Sequence, residues 1–326
     1  MINTLTIVMY HYVRDVHKTP YPGIKALGIK EFTGQLEYIR RHYHVIDPLD
    51  LVACADDPDA FLPSNSLLLS FDDGYIDHFE TVLPRLKKFG FKAVFSPVPR
   101  SCLEWVVLDV NKIHFILSAT SDNVRRVVTD LFNLLDRYRE QYHLESKEEL
   151  YSRLAVASRF DPPEVIFIKR LLQRELAEPL RNLITDALFK KYVTADEAGF
   201  ASELYMDPDQ IKAMVGEGMT IASHGYDHYW LGTLSTEQQE EQIGKSVDFL
   251  KRFHPRDKKY LMCYPYGSYN ESLLKILRRK KFVAGFTTAV DIVRPGYEPL
   301  LLPRLDTNDL PKVGTASPCK WTDEIS

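Results

Sequence analysis

The sequence is poor in several features that would have narrowed its class. It has only four cysteines, Cys54, Cys102, Cys263 and Cys319, and no C-x-x-C pair. That scatter argues for reduced thiols rather than a disulfide framework. No run approaches ~18 consecutive apolar residues, so no membrane-spanning helix is expected. The net charge of −4 leaves no basic footprint, which argues against nucleic acid as a partner. The start, "MINTLTIVMYHYVRD", has no basic n-region and no cleavage site of small residues. It therefore reads as lacking a secretory leader. These absences point to the cytoplasm, with a peripheral role at the inner membrane surface left open.

What remains is an ordinary globular composition, 45% hydrophobic and 26% charged over 326 residues. Short apolar runs alternate with longer helical patterns. Strands are expected at Thr4–Met9, Leu67–Phe71, Lys92–Ser96, Met219–Ser223, Tyr260–Tyr264 and Ala284–Thr288. Helix signals lie between them. Asp207-Pro208 is an N-cap followed by Pro at N1, Ser235 to Gln238 is a capping box, and Gly90, Gly216 and Gly218 are stop signals. Such alternation predicts parallel strands joined by crossover helices, in a barrel or an open doubly wound sheet. From about 99 to 200 the strand signal vanishes and long helical patterns take over. Pro179 is expected to kink one of them. Residues 101–200 carry 14 Lys+Arg against 16 Asp+Glu, so this is no basic arm. It reads as a helical insertion that either packs over or beside the groove, shaping access to a substrate larger than a monosaccharide, or serves as a dimer interface or simple surface packing. The end of the chain, from about Pro311, reads as poorly ordered.

The chemistry gathers at strand ends. Tyr10-His11 follows the first strand, Asp72-Asp73-Gly74 the second, His224 the fourth and Pro265-Tyr266-Gly267 the fifth. In a parallel α/β fold all strand C-termini open on one face, where the active site sits. Each motif alone has a bland reading: Asp-Asp-Gly is a turn, Pro-Tyr-Gly is a turn, and a lone histidine is a satisfied polar residue. Four at one mouth form a constellation. His224 and His228 are spaced to share one face of a helical turn, which would make half a metal site. One carboxylate completes a His₂Asp set with open positions, and the other is free to act as a base on water. Zinc is the default for such a set, although Co, Ni, Fe or Mn would also bind. A divalent cation makes two neighbouring carboxylates tolerable.

These motifs resemble those of the polysaccharide deacetylase family, the NodB-homology domain or carbohydrate esterase family 4. "SFDDGY" (70–75) is similar to its first motif, which implies Asp72 as general base and Asp73 as metal ligand. "SHGYDH" (223–228) is similar to the H-x-x-x-H motif, which implies His224 and His228 as the other ligands. "CYPYGSYN" (263–270) is similar to the third motif, which implies that Pro265 and Tyr266 line the groove and that the Tyr266 N–H faces the oxyanion. Two departures stand out. The Arg that opens the third motif in many members is missing, and "LLPRLDTND" (301–309) offers Arg304 instead. No C-terminal L-x-x-H supplies an acid histidine. "MYHYVRD" resembles the permuted Y-H-x-V stretch of exopolysaccharide deacetylases, which implies His11 as general acid. His78 competes for that role but, five residues past Asp73 on the outgoing helix, is expected to face away, and His254, at a helix end, is a weak alternative.

The resemblance spans 1–98 and 201–310, with an insertion at 99–200 and a tail at 311–326. It implies a distorted (β/α)₇-type barrel and metal-assisted removal of an acetyl group, usually N-acetyl, from an acetylated sugar, oligosaccharide or glycolipid. Alternatives are a deacylase acting on another amide or on an O-acetyl ester of a small metabolite, and a non-catalytic sugar-binding protein on the same fold. A lyase or epimerase barrel would be favoured by a late Gly-rich phosphate loop, which the sequence lacks.

Overall fold

A computed structural model describes residues 4–54, 61–157, 161–253 and 259–324. Eight strands are present among them: β1 (Leu5–Tyr10), β2 (His44–Val45), β3 (Ser66–Asp73), β4 (Val94–Pro97), β5 (Thr220–Ile221), β6 (Tyr260–Cys263), β7 (Phe282–Phe286) and β8 (Leu305–Asp306). Every ladder between them is parallel. One sheet runs β5-β4-β3-β1-β8, with β2 beside the start of β3, and β6-β7 form a second pair. Single parallel bridges, Ser223 to Met262 and Phe286 to Leu302, join the two into a ring. Seven parallel strands thus go round a barrel, and two of the joins are only one bridge wide. That is the expected distorted (β/α)₇ form.

Strand β3 shows why the sequence folds this way. All eight of its residues are buried, as for a parallel strand covered on both faces. Alternate side chains serve different cores. Leu67, Leu69 and Phe71 pack outward with Phe32, Leu36, Ile39, Val82 and Leu86 of the surrounding helices. Leu68 packs with Leu5, Ile7, Val94, Leu261 and Phe286 of the neighbouring strands. The period of two therefore places Ser70 and Asp72 on the inward face.

Contacts divide the chain into two compact units. The first comprises 1–15, 26–104 and 202–326, and the second 16–25 and 105–201. The second unit is helical: Asp109–Ala119, Val124–Tyr138, Lys147–Leu154, Pro163–Arg170 and Glu178–Tyr192 pack around Ile113, Leu131, Phe167, Leu180 and Ile184. Its buried Lys112 is paired with Asp186 and, at 2.8 Å, with Glu197. Pro179 does not kink a continuous helix. The chain breaks at Leu176, which is extended (φ −75°, ψ 142°), and Pro179 sits in the first turn of a new helix, where its missing N–H costs nothing.

The expected caps are present. Asp207 accepts from the Gln210 N–H, Ser235 accepts from the Gln238 N–H, and Gly90 closes its helix at φ +71°. Contrary to the reading of its composition, the described part of the tail, 311–324, packs against the barrel. Trp321 joins the barrel core. The Thr322 hydroxyl lies 2.7 Å from the Tyr38 hydroxyl and 2.8 Å from that of Tyr43. No described helix is long and apolar enough to cross a membrane.

Candidate active site and metal centre

At the C-terminal end of β3 the two aspartates would point to opposite faces if the strand continued regularly. They do not, because Asp73 has φ +73°. That left-handed turn swings its carboxylate to the same mouth as Asp72. Gly74 follows at φ +76°, and a Cβ there would lie 2.8 Å from the Pro97 backbone. Glycine is therefore required.

Asp72 is buried and fully partnered. Its Oδ1 accepts from the Ser96 hydroxyl at 2.6 Å, and its Oδ2 pairs with Arg304 Nη1 at 2.8 Å. Arg304 is itself 1% exposed. It donates through Nε to the Thr287 carbonyl at 2.9 Å and through Nη1 to Ser70 Oγ at 2.9 Å. Burial would raise the Asp72 pKa, but the guanidinium, then His224 and His11, hold the carboxyl below its usual range. The Asp72 carboxylate is thus ionised and oriented.

Asp73 is different. It has no guanidinium or ammonium beside it. Its Oδ1 lies 3.3 Å from His224 Nε2 and 3.4 Å from His228 Nε2. These are ion-pair distances, yet neither contact has hydrogen-bond geometry, and Oδ1 is a buried atom without a hydrogen-bond partner. His224 Nδ1 lies 2.7 Å from the Cys263 carbonyl. A carbonyl can only accept, so Nδ1 carries the proton and the lone pair of the neutral ring's Nε2 faces Asp73. Burial favours neutral imidazole at both histidines. It prevails at His228, whose pKa falls, whereas Asp73 and Asp72 outweigh it at His224. Ligand atoms of Asp73, His224 and His228 lie within 4.8 Å of one another, and all three residues are buried. Buried electron pairs converging on one point, with an orphaned carboxylate oxygen among them, fit a divalent cation.

The two histidines do not meet on a helical turn, as their spacing suggests. Residues 222–230 are irregular. Gly225 at φ +71° and His228 at φ +62° curl the loop, bringing the ring centroids to 4.8 Å. Tyr266 sits in the turn after β6 with φ +57°. Its ring stacks on Trp230 at 4.4 Å and meets His228 edge-on at 4.7 Å, while Pro265 is buried beside it.

His11 is half-buried at the end of β1. Tyr10 and Phe71 are the last pair of the β1–β3 ladder, and His11 and Asp72 are the residues that follow them. Three residues to which the sequence assigns no role, His78, Asp77 and Tyr75, hold this segment. His78 Nε2 donates to the His11 carbonyl at 3.0 Å, and Asp77 Oδ2 accepts from the Val13 N–H at 3.2 Å and from Arg14 Nε at 2.7 Å. Tyr75 stacks on Tyr12 at 4.0 Å. The sequence reading has His78 facing away, five residues beyond Asp73. It is instead fully buried against Phe71, Tyr75 and Phe95. His254, a weak alternative for the acid, lies outside the described residues.

His78 also yields a stability prediction. Burial lowers its pKa from 6.5 to about 4. The unfolded chain therefore takes up a proton in a window where the folded protein does not. The contribution is complete above about pH 6.5 and is lost as pH falls towards about 4, amounting to roughly 2 kcal/mol between about pH 7 and pH 5. His78→Gln keeps a donor for the His11 carbonyl and removes the titration. Urea unfolding at the two pH values is expected to show a smaller acid loss for this variant than for the parent. Equal losses would mean that His78 does not control the slope.

Several known proteins resemble this chain in part of its sequence or in its fold. Residues 183–285 match the family model described as polysaccharide deacetylase. The match covers 103 of the 326 residues, so it shows a likeness to that family over this segment. The matched stretch contains His224, His228 and Tyr266 but not His11, Asp72, Asp73 or Arg304. YxkH of Bacillus subtilis, which carries a polysaccharide deacetylase name, is 33% identical over 85 residues. That stretch covers 26% of this chain and 30% of the relative's length. The Streptococcus pyogenes deacetylase PplD, solved with acetate, superposes with a TM-score of 0.57 at 17% identity, over 93% of this chain and 92% of that one. IcaB from Ammonifex degensii gives 0.53 at 18% identity, over 99% and 97%. At these identities the solved structures share the deacetylase domain's fold.

Proposed function

We propose that this protein is a metal-dependent hydrolase that removes an acetyl group, most directly an N-acetyl from an amino sugar within a glycan or glycolipid. The observation carrying this reading is the convergence of Asp73, His224 and His228 ligand atoms beside an Arg304-paired Asp72. Asp73, His224 and His228 would hold the cation, with zinc the default and Co, Ni, Fe or Mn as other occupants. When bound, the cation supplies Lewis-acid polarisation of the acetyl carbonyl and makes the attacking water acidic enough for a carboxylate of low pKa to deprotonate.

The other roles belong to this chain's own groups. Asp72 takes the proton from water, held ionised by Arg304 and aimed by Ser96. The Tyr266 N–H donates to the oxygen on which charge develops, and Pro265 and the Trp230 stack support that turn. His11 delivers a proton to the leaving nitrogen. An amine expelled without a proton is a very poor leaving group, so an amide substrate needs such an acid.

The test is acetate release from a panel of sugars carrying N-acetyl groups, O-acetyl groups or both, as monosaccharides and as oligosaccharides. Release from N-acetylated amino sugars is expected. Release confined to O-acetyl esters would move the assignment to an esterase. No release from any sugar, by protein that binds metal, would defeat the carbohydrate assignment.

A further inference from the structure

Asp73 has two oxygens, and only one faces the histidines. The other, Oδ2, accepts a hydrogen bond from the Tyr75 hydroxyl at 2.5 Å. Tyr75 is fully buried and cannot swing away. Its ring stacks between Tyr12, 4.0 Å away at an interplanar angle of 23°, and Tyr205, 6.0 Å away at 14°. Its backbone is fixed as well. The Tyr75 carbonyl accepts from the His78 N–H at 3.0 Å, the preceding Gly74 carbonyl accepts from the Met206 N–H at 2.9 Å, and a bridge joins Tyr75 to Tyr205. The phenol is thus held at one carboxylate oxygen while the other is left with unused lone pairs.

We infer that Tyr75 is a positioning residue that restricts Asp73 to a single-oxygen metal ligand, Oδ1, by occupying Oδ2. The inference rests on the metal site proposed above. Its physical content is simple. A carboxylate free to rotate can offer one oxygen or chelate with both, and chelation takes up a position on the cation. Two imidazoles and one carboxylate oxygen leave positions open for water and substrate. A hydrogen bond to the remaining oxygen also fixes the ligand's orientation before the cation arrives, and such outer partners typically change metal affinity about 10–100-fold. The same ring stacks on Tyr12, the neighbour of His11. One side chain therefore links the metal ligand to the segment bearing the proposed acid.

The test compares the parent protein with Tyr75→Phe, which removes one oxygen and keeps the stacked ring. Zinc affinity is read by competition with a chromophoric chelator, and ligand geometry by the visible absorption of the cobalt(II)-loaded proteins. Tyr75→Phe is expected to bind one zinc about 10–100-fold more weakly. Its cobalt bands should weaken as a second carboxylate oxygen enters and the coordination number rises. Unchanged affinity together with an unchanged cobalt spectrum would overturn the role of Tyr75 and leave the metal site intact. A parent protein that binds no metal would instead overturn the site itself, and this inference with it. If the variant fails to fold, X-ray absorption of the zinc-loaded parent decides the matter. One carboxylate oxygen in the first shell supports the inference, and two overturn it.

Discussion

Alanine at both His224 and His228 is expected to give a protein that retains no stoichiometric divalent metal and loses acetate release by about 10³-fold or more. The argument is one of ligand count. Each imidazole nitrogen faces Asp73 Oδ1, at 3.3 and 3.4 Å. Without them a single carboxylate remains, and a single carboxylate does not hold a transition metal against water. Loss of the rings also leaves the buried Asp73 charge without either imidazole beside it, so some loss of stability should accompany the change. Melting temperature and metal content must be measured on the same preparation. Stoichiometric metal in the folded double variant would mean that the cation lies elsewhere.

His11→Ala is expected to keep the metal and lower kcat on amides by about 10²–10⁴-fold, the usual span for a general acid. His11 is no neighbour of the ligand set in sequence, yet it follows the last pair of the β1–β3 ladder and acts electrostatically on both Asp72 and Asp73. Substrate affinity should change little, because the group acts when the carbon–nitrogen bond breaks. The informative comparison is an activated acetyl ester. Its leaving oxygen needs no proton, so the loss should be far smaller there than on the amide. Equal losses on both substrates, or no loss on either, would make His11 structural.

Much of this site could be read from spacing. Buried apolar runs that end in polar residues mark parallel strand ends, and β1, β3 and β6 deliver His11, Asp72, Asp73, Pro265 and Tyr266 as that pattern implies. What could not be read depends on long-range register or on single dihedral angles. β8 is only two residues long, far too short for a periodic signal, yet its pairing with β1 accompanies the burial of Arg304 beside Asp72. The positive φ of Asp73 decides that both carboxylates face one mouth, and non-glycine residues adopt it rarely. Sequence spacing brings His224 and His228 together by the wrong device, a helical turn in place of a curled loop. His78 looked peripheral because helical residues beyond a strand end often point outward. A π-type turn over His78–Val82 opens its helix instead, and the ring is buried against Phe71 and Phe95. At the end of the chain a polar composition concealed Trp321 and Thr322, whose partners Tyr38 and Tyr43 lie nearly 300 residues earlier.

The most direct test of the account is acetate release from an N-acetylated amino-sugar oligosaccharide by one preparation, measured as purified, after removal of metal by a chelator, and after titration with zinc, cobalt, nickel, iron or manganese. Activity should disappear with the metal and return in proportion to a single equivalent of cation per chain. Full activity in protein shown to be free of metal would contradict the assignment of Asp73, His224 and His228 as a catalytic metal centre.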